Sequence, residues 1–247
     1  MANASDSDSE DCRFKSCQAD HFVRGFRRLR GIMKHKYIIW DWNGTLLDDV
    51  QISIDAMNEM LEQRGYSKRI DYSLYREIFC FPIIEYYNKI GFDFSRHPFD
   101  GLAQQFISNY SPKQSNAVLY DDAKKALVLA DESGFSQAVI SVCERERLFT
   151  QINPFGIEGY FTSVLGTQDN YAVSKIDLAK GWLESNAISP NDVVFIGDTN
   201  HDFEVAQSVS CDCVLVSTGH QSKQVLKKTG ARIFDNVLNA VSYLASL

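Results

Sequence analysis

Four short stretches of this chain are apolar almost from end to end: Tyr37-Ile38-Ile39-Trp40, Ala138-Val139-Ile140-Ser141-Val142, Val193-Val194-Phe195-Ile196-Gly197 and Val214-Leu215-Val216. A strand with one wet face alternates apolar and polar residues. A run without alternation is covered on both faces, as in a parallel sheet held between two layers of helices. Helical periodicity fills the spaces between these runs: Asp121 to Glu132, closed by Gly134, then Lys175 to Ser185, Asp202 to Ser208 and Asn236 to Leu244. Repeated strand–helix units imply an α/β fold with a doubly wound, mostly parallel sheet and a Rossmann-like core.

One segment breaks the alternation. Residues 49–115 contain only helical patterns: Ile52 to Arg64, Tyr72 to Phe79, Pro82 to Ile90 and Phe99 to Tyr110. They are expected to form a helical cap, inserted after the first strand and lying over the carboxyl end of the sheet. The core is then 34–48 together with 116–247. Residues 1–33 differ again, with the polar run from Ala4 to Asp11 followed by Arg24, Arg27, Arg28 and Arg30. They are expected to be a flexible N-terminal extension, since so polar a segment cannot bury enough surface to order itself.

Charge and cysteine usage narrow the function classes. A net charge of −7 opposes broad binding to nucleic acid or an anionic membrane, both of which need a basic face. No run approaches the roughly 18 apolar residues of a membrane span, and the acidic N-terminus lacks the apolar segment of a signal peptide. The six cysteines form no C-x-x-C pair, which suits reduced thiols and a cytoplasmic location. The expected partner is a small phosphorylated metabolite, for reasons that lie in a handful of residues. Oligomeric state is not encoded in any feature of the sequence.

Asp41-Trp42-Asn43-Gly44-Thr45 begins where the first buried strand ends, and Gly197-Asp198-Thr199-Asn200-His201-Asp202 follows the third apolar run. Ligands of open α/β sheets bind outside the carboxyl ends of the strands. Two carboxylates meeting there repel one another unless a hard cation such as Mg²⁺ joins them. Asp202 reaches the same ion or supplies favourable charge to the first turn of its helix. Ser141, at the end of the second run, can offer a hydroxyl to a phosphate oxygen. Lys175 opens a helix after a polar stretch and can offset anionic charge on a phosphoryl group.

In order and placement these residues resemble the signatures of the haloacid dehalogenase superfamily: an aspartate-led D-x-D-x-T motif, a strand-end Ser/Thr, a lysine and an acidic G-D-x-x-x-D. Asp41 to Thr45, Ser141, Lys175 and Gly197 to Asp202 match in turn, over roughly residues 34 to 247. The helical insert is similar to the family's type-1 cap, and the layout looks most like phosphoglycolate phosphatases. The resemblance implies a phosphoric monoester hydrolase in which Asp41 attacks phosphorus and forms an aspartyl-phosphate. It implies Mg²⁺ held by Asp41, the backbone carbonyl of Asn43 and Asp198, with Ser141 and Lys175 binding the phosphoryl group. A small monoester such as 2-phosphoglycolate is the implied substrate.

Residue 43 departs from that pattern. The family's phosphatases carry an aspartate there as general acid and base, whereas an amide cannot exchange a proton with the leaving oxygen. Three readings stay open: a phosphatase in which water or His201 replaces the missing acid, a weak or silent phospho-ligand-binding protein, and a phosphonate-cleaving or other phosphoryl-transfer enzyme. The last is suggested by Trp42 and would need a cap lysine, Lys68 or Lys89. His201 itself is expected to face solvent at a helix start, and His220 has no ligand spacing to another histidine. Tyr72, Tyr75, Phe79, Phe81, Tyr86 and Tyr87 are expected to form the core of the lid, with Phe81-Pro82 marking a turn towards the site.

Overall fold

The computed structural model describes residues 34–167 and 174–247. The expected extension 1–33, with its arginine cluster and Cys12 and Cys17, lies outside the described residues, as do residues 168–173 of the polar stretch before Lys175. Strand β1 (Tyr37–Trp40) is followed by the two-residue strand β2 (Leu47–Asp48). Four helices come next: α1 (Val50–Gln63), α2 (Tyr72–Ile78), α3 (Ile83–Ile90) and α4 (Phe99–Tyr110). Strand β3 (Val118–Leu119) pairs antiparallel with β2, so the helical insert leaves and rejoins the chain at one two-stranded neck.

The remainder alternates as the sequence implies: α5 (Ala123–Glu132), β4 (Ser136–Glu144), α6 (Arg145–Ile152), β5 (Phe161–Thr167), α7 (Lys175–Ser185), β6 (Val193–Gly197), α8 (Asn200–Ser208), β7 (Asp212–Val216), α9 (Lys223–Leu226), β8 (Arg232–Phe234) and α10 (Val237–Leu244). Six strands pair in parallel in the order β5-β4-β1-β6-β7-β8. Chain order runs outward from β1 in both directions, so the strand order reverses between β1 and β6. Asp41 and Asp198 follow the ends of those two strands, at the crevice where open α/β sheets bind ligands.

The sheet separates two apolar layers. Ile38, Trp40, Val139, Val194 and Ile196 pack towards α5 and α10, while Ile39, Ala138, Ile140, Val193 and Phe195 pack towards α7 and α8. Adjacent residues of one strand thus enter opposite layers, which is why these runs show no alternation. The insert has its own core, in which Ile54, Met57 and Met60 of α1 meet Tyr75, Tyr86, Tyr87 and Leu102. Of the expected lid-core aromatics, two depart: Tyr72 is 46% exposed, and Phe81 lies outside the cap's apolar cluster, stacked on His201.

Arg76 of α2 ties cap to core. Its guanidinium donates to the carbonyls of Gly219 (2.8 Å), Ser217 (2.5 Å) and Gln221 (3.0 Å). Gln221 returns a bond from its side-chain amide to the carbonyl of Phe79 at 2.9 Å. These bonds close the cap over the strand ends.

Two segments differ from the sequence reading. Strand β4 continues past Ser141 to Glu144, but its pairing with β5 jumps from Ile140↔Leu165 to Glu144↔Thr167. The regular ladder therefore lapses at Ser141. Strands β5 and β8 occupy the two edges and are only partly buried, so neither carries the apolar run that marks β1 and β6.

Candidate active site

Asp41, Asp198 and Asp202 converge, with one oxygen of each lying within 4.8 Å of the others. All three are buried, as are Lys175, Ser141 and Thr45. Lys175 enters from the start of α7, where Ser174 and Asp177 form a reciprocal cap that fixes the first turn. Its ammonium lies 2.5 Å from Asp41 Oδ1 and 2.5 Å from Asp202 Oδ1. Thr199 and Asp202 form the same reciprocal cap on α8: the Thr199 N–H donates to Asp202 Oδ2 at 3.0 Å and the Asp202 N–H to Thr199 Oγ1 at 3.4 Å, while the Thr199 hydroxyl also donates to Oδ2 at 2.7 Å. Both oxygens of Asp202 thus have partners, one in Lys175 and one in its own helix start.

Asp198 is held from two sides. Thr45 Oγ1 donates to Oδ1 at 2.9 Å, and the backbone N–H of His220 donates to Oδ2 at 2.6 Å. These approaches depend on two glycines. Gly44 has φ +77°, and a Cβ there would fall 2.5 Å from Asp198 Oδ2; one on Gly219 would fall 2.1 Å from the same atom.

The electrostatics are those of a site short of positive charge. Burial, reinforced by Asp202 and Asp198, pushes the Asp41 carboxyl up to about 8 despite the neighbouring lysine. Burial likewise raises Asp198 to about 6, against the attraction of His220. Burial would raise Asp202, but Lys175, helped by the Thr199 hydroxyl, brings it below the usual carboxylate range. Lys175 is drawn down by burial, but Asp202 and Asp41 beside it carry it above its ordinary value. One ammonium among three buried carboxylates leaves a local excess of negative charge. An oxygen-rich, anionic and enclosed donor set of this kind fits a hard divalent cation.

On the other side of Asp41 lies a network that sequence reasoning missed. The Asn43 amide donates to Asp49 Oδ2 at 2.9 Å and to the Tyr110 hydroxyl at 3.3 Å. Asp49 also accepts from Tyr110 Oη (2.7 Å) and the Gly44 N–H (3.1 Å), and lies 3.4 Å from His220 Nε2. His220 Nδ1 meets the Tyr75 hydroxyl at 2.9 Å. Although burial opposes a charge on His220, Asp49, Asp198 and Asp41 raise it to about 9. Burial would raise Asp49, yet His220 holds it below the usual range. The pair is an imidazolium facing a carboxylate beside the amide of residue 43. Asp49 and His220 are far apart in sequence; the only local signal was the glycine preceding the histidine.

Above these groups, a cavity of about 630 Å³ runs from Asp41, Ser141 and Lys175 up to the cap helices. His201 lines it rather than facing open solvent, its ring stacked on Phe81 at 4.5 Å between centroids. The turn at Phe81 reaches down from the cap and covers it. Ser141 lines the same cavity, its Oγ accepting from the Cys143 N–H at 3.1 Å. Neither Lys68 nor Lys89 is among the lining residues. Lys68 donates to the Ile90 carbonyl, and Lys89 lies 3.0 Å from Cys80 Sγ. Neither of the two cap lysines named from the sequence therefore lines the cavity.

Comparison with known proteins gives a consistent picture. The sequence profile of the haloacid dehalogenase-like hydrolases matches residues 38–216. A phosphoglycolate phosphatase from Psychrobacter arcticus is 25% identical over 86% of this chain and 96% of its own length. One from Photobacterium profundum is 24% identical over 85% and 93%. The crystal structure of a predicted phosphatase from Clostridium acetobutylicum superposes with a TM-score of 0.73 at 22% identity, covering 86% of this chain and 99% of the other.

Proposed function

The chain belongs to the haloacid dehalogenase-like hydrolases, and from that premise we propose that it hydrolyses a phosphate monoester with Mg²⁺, through attack by Asp41 on phosphorus. The observation that carries this reading is the convergence of Asp41, Asp198 and Asp202 around a single lysine at the strand-order reversal. The cation would be held by Asp41, Asp198 and the backbone carbonyl of Asn43, with Asp202 completing the acidic cluster and orienting Lys175. When bound, it supplies charge neutralisation for a dianionic phosphoryl group.

This chain's own residues account for the rest. Lys175 and Ser141 bind the transferring group, and the buried floor holds their positions before substrate arrives. Asp41 forms a bond to phosphorus as the leaving alkoxide departs with a proton. Water then attacks the aspartyl-phosphate, releasing inorganic phosphate and regenerating the carboxylate. Asn43 cannot supply or recover these protons. The groups that line the cavity and could take that task are His201 and the imidazolium of His220, together with water. Acid–base assistance is worth ~10²–10⁴-fold, so turnover is expected to be slow with alcohols that leave poorly. The names of the curated relatives make 2-phosphoglycolate the reference substrate. The same Asn43 favours a second reading, a phospho-ligand-binding protein that has lost turnover.

Phosphate release from 2-phosphoglycolate and 4-nitrophenyl phosphate, with Mg²⁺ and with EDTA, separates these readings. The phosphatase reading requires release that EDTA stops and Asp41→Asn abolishes. Asn43→Asp alone would set a second carboxylate against Asp49, so the exchange Asn43→Asp/Asp49→Asn, which keeps their hydrogen bond, is the better repair. It is expected to raise kcat by about 10²-fold. Activity in the exchanged protein alone would favour the binding role. Activity in neither would defeat the phosphatase reading.

A further inference from the structure

Positive charge along the cavity wall is shared out unevenly, and one cation is left over. Among the described residues, Lys175, His201, His220 and Arg147 are the side chains of the lining that can carry it. Lys175 is held between Asp41 and Asp202, and His220 faces Asp49. His201 stacks on Phe81 and lies 3.7 Å from Glu204 Oε2. Arg147 is half-buried, yet among the described residues its guanidinium has no carboxylate within ion-pair distance and no hydrogen-bond acceptor.

The fold itself has no use for this charge. Arg147 sits in the first turn of α6, where the aligned peptide dipoles already present positive charge and a cation is unfavourable. The adjacent acid, Glu144, is occupied in capping the helix: its oxygens accept from the N–H groups of Glu146 (3.0 Å) and Arg147 (3.1 Å). The charge is felt on the cavity side instead. Burial pushes the thiol of Cys143, which lines the cavity, up to about 12, and Arg147 is the foremost charge opposing that rise. A half-buried guanidinium without a partner carries a desolvation penalty that a bound anion would offset. The cap roofs the cavity with rings such as Phe79, Phe81 and Phe106, and among the described residues it adds no lysine, arginine or histidine to the lining. An anion on the leaving group would thus be met from the core wall.

We propose that Arg147 determines specificity: its guanidinium receives a second anionic group, a carboxylate or a further phosphate, carried by the leaving group. The substrate is thus a phosphate monoester with two anionic ends, one at Asp41 and Lys175 and the other at Arg147. The planar fork of a guanidinium matches two oxygens of either anion. A cavity of about 630 Å³ also admits leaving groups longer than the two carbons of glycolate. This rests on the phosphatase reading of the floor and adds which leaving group the wall selects. The competing outcome is that Arg147 joins Ser141, which precedes it on the same strand–helix unit, in binding the transferring phosphoryl group.

Binding of non-hydrolysable phosphonates tests the proposal without relying on turnover. Calorimetry in excess Mg²⁺ would compare ethylphosphonate, which has one anionic end, with 3-phosphonopropanoate, 4-phosphonobutanoate and propane-1,3-diphosphonate, which have two. At least one two-ended compound is expected to bind about tenfold or more tighter than ethylphosphonate, and the tightest identifies the second anion. Arg147→Gln should erase that advantage and leave ethylphosphonate within about twofold, which also shows that the variant is folded. Arg147→Lys keeps the charge but loses the fork, and should recover part of the advantage. Two-ended compounds that bind no better than ethylphosphonate overturn the proposal. So does an advantage that survives Arg147→Gln. An equal loss for every phosphonate in both variants overturns it too, and would assign Arg147 to the transferring phosphoryl group. Phosphate release from 4-nitrophenyl phosphate and 2-phosphoglycolate, measured in parallel, keeps the two ideas separate. Release without Arg147-dependent binding sinks only this inference; Arg147-dependent binding without release from either ester sinks the phosphatase reading and leaves the anion site standing.

Discussion

The floor and the roof of one cavity follow opposite rules. On the floor, Asp41, Asp198, Asp202, Lys175, Thr45, Asp49 and His220 are all hydrogen-bonded or ion-paired, and the backbone approaches them through glycines that admit no Cβ. In the roof, rings meet edge to face, and one buried hydroxyl has no partner among the described residues. The contrast teaches where each kind of work is placed. Charge development on phosphorus is similar for any monoester, so the floor can be fixed in advance. Under the proposed reaction the leaving group differs between substrates, so selection through shape and apolar area would fall to the cap.

The largest effect should come from unbalancing the floor. Lys175→Met leaves three buried carboxylates with no ammonium between them, and removing one partner of a buried charge network typically costs ~3–5 kcal/mol. Chemical denaturation in EDTA should show a loss of that size, partly recovered by millimolar Mg²⁺ through binding to the folded state alone. A loss below ~1 kcal/mol would mean that the carboxylates simply take up protons, and that the floor is less rigidly charged than its geometry implies.

How much of this contrast could be read from the sequence depends on whether neighbours in the chain are neighbours in space. Asp41 and Asp198 were legible because each follows a run buried on both faces, and the sheet order then makes them adjacent. Helix α4 runs from Phe99 to Tyr110 and α7 from Lys175 to Ser185, as their periodicity implies, the latter aided by the Ser174–Asp177 cap. The Asp49–His220 pair was not legible, since no periodicity joins residues that meet only when α1 and the loop after β7 fold onto the same strand ends. His201 was misjudged because a helix start is usually wet; here the turn at Phe81 descends over it from another unit of the fold. Tyr75, Phe79, Tyr86 and Tyr87 join the cap core as their apolar pattern implies, but a pattern of rings does not say which edge borders a cavity.

A middle-sized effect should follow pH. His220 is raised to about 9, with Asp49 the foremost stabilising charge against the penalty of burial. A base whose folded pKa exceeds its unfolded value of about 6.5 contributes stability that is complete below the unfolded value and vanishes as pH rises through the folded one. The native protein should therefore lose ~1–3 kcal/mol relative to His220→Gln between about pH 6.5 and pH 9. Paired denaturation curves in EDTA would show it. Parallel pH profiles for the two proteins would mean that the imidazole is neutral throughout and that the pair with Asp49 is a plain hydrogen bond.

The smallest effect discriminates most directly between floor and roof, because two tyrosines of the same cap sit on either side of the divide. Tyr75 meets His220 Nδ1 at 2.9 Å, whereas the hydroxyl of Tyr86, whose ring packs against it, has no partner among the described residues. Tyr75→Phe removes one member of a satisfied pair and leaves a buried ring N–H bare, which should cost about 1–2 kcal/mol. Tyr86→Phe removes only an unsatisfied hydroxyl, so the ligand-free protein should be unchanged or gain up to about 1 kcal/mol. Opposite signs, measured as shifts in Tm in the same buffer, would establish that the roof keeps a polar atom its own fold does not use. Losses of equal size would show that Tyr86 Oη is satisfied in solution, and the asymmetry between the two walls would then be one of shape alone.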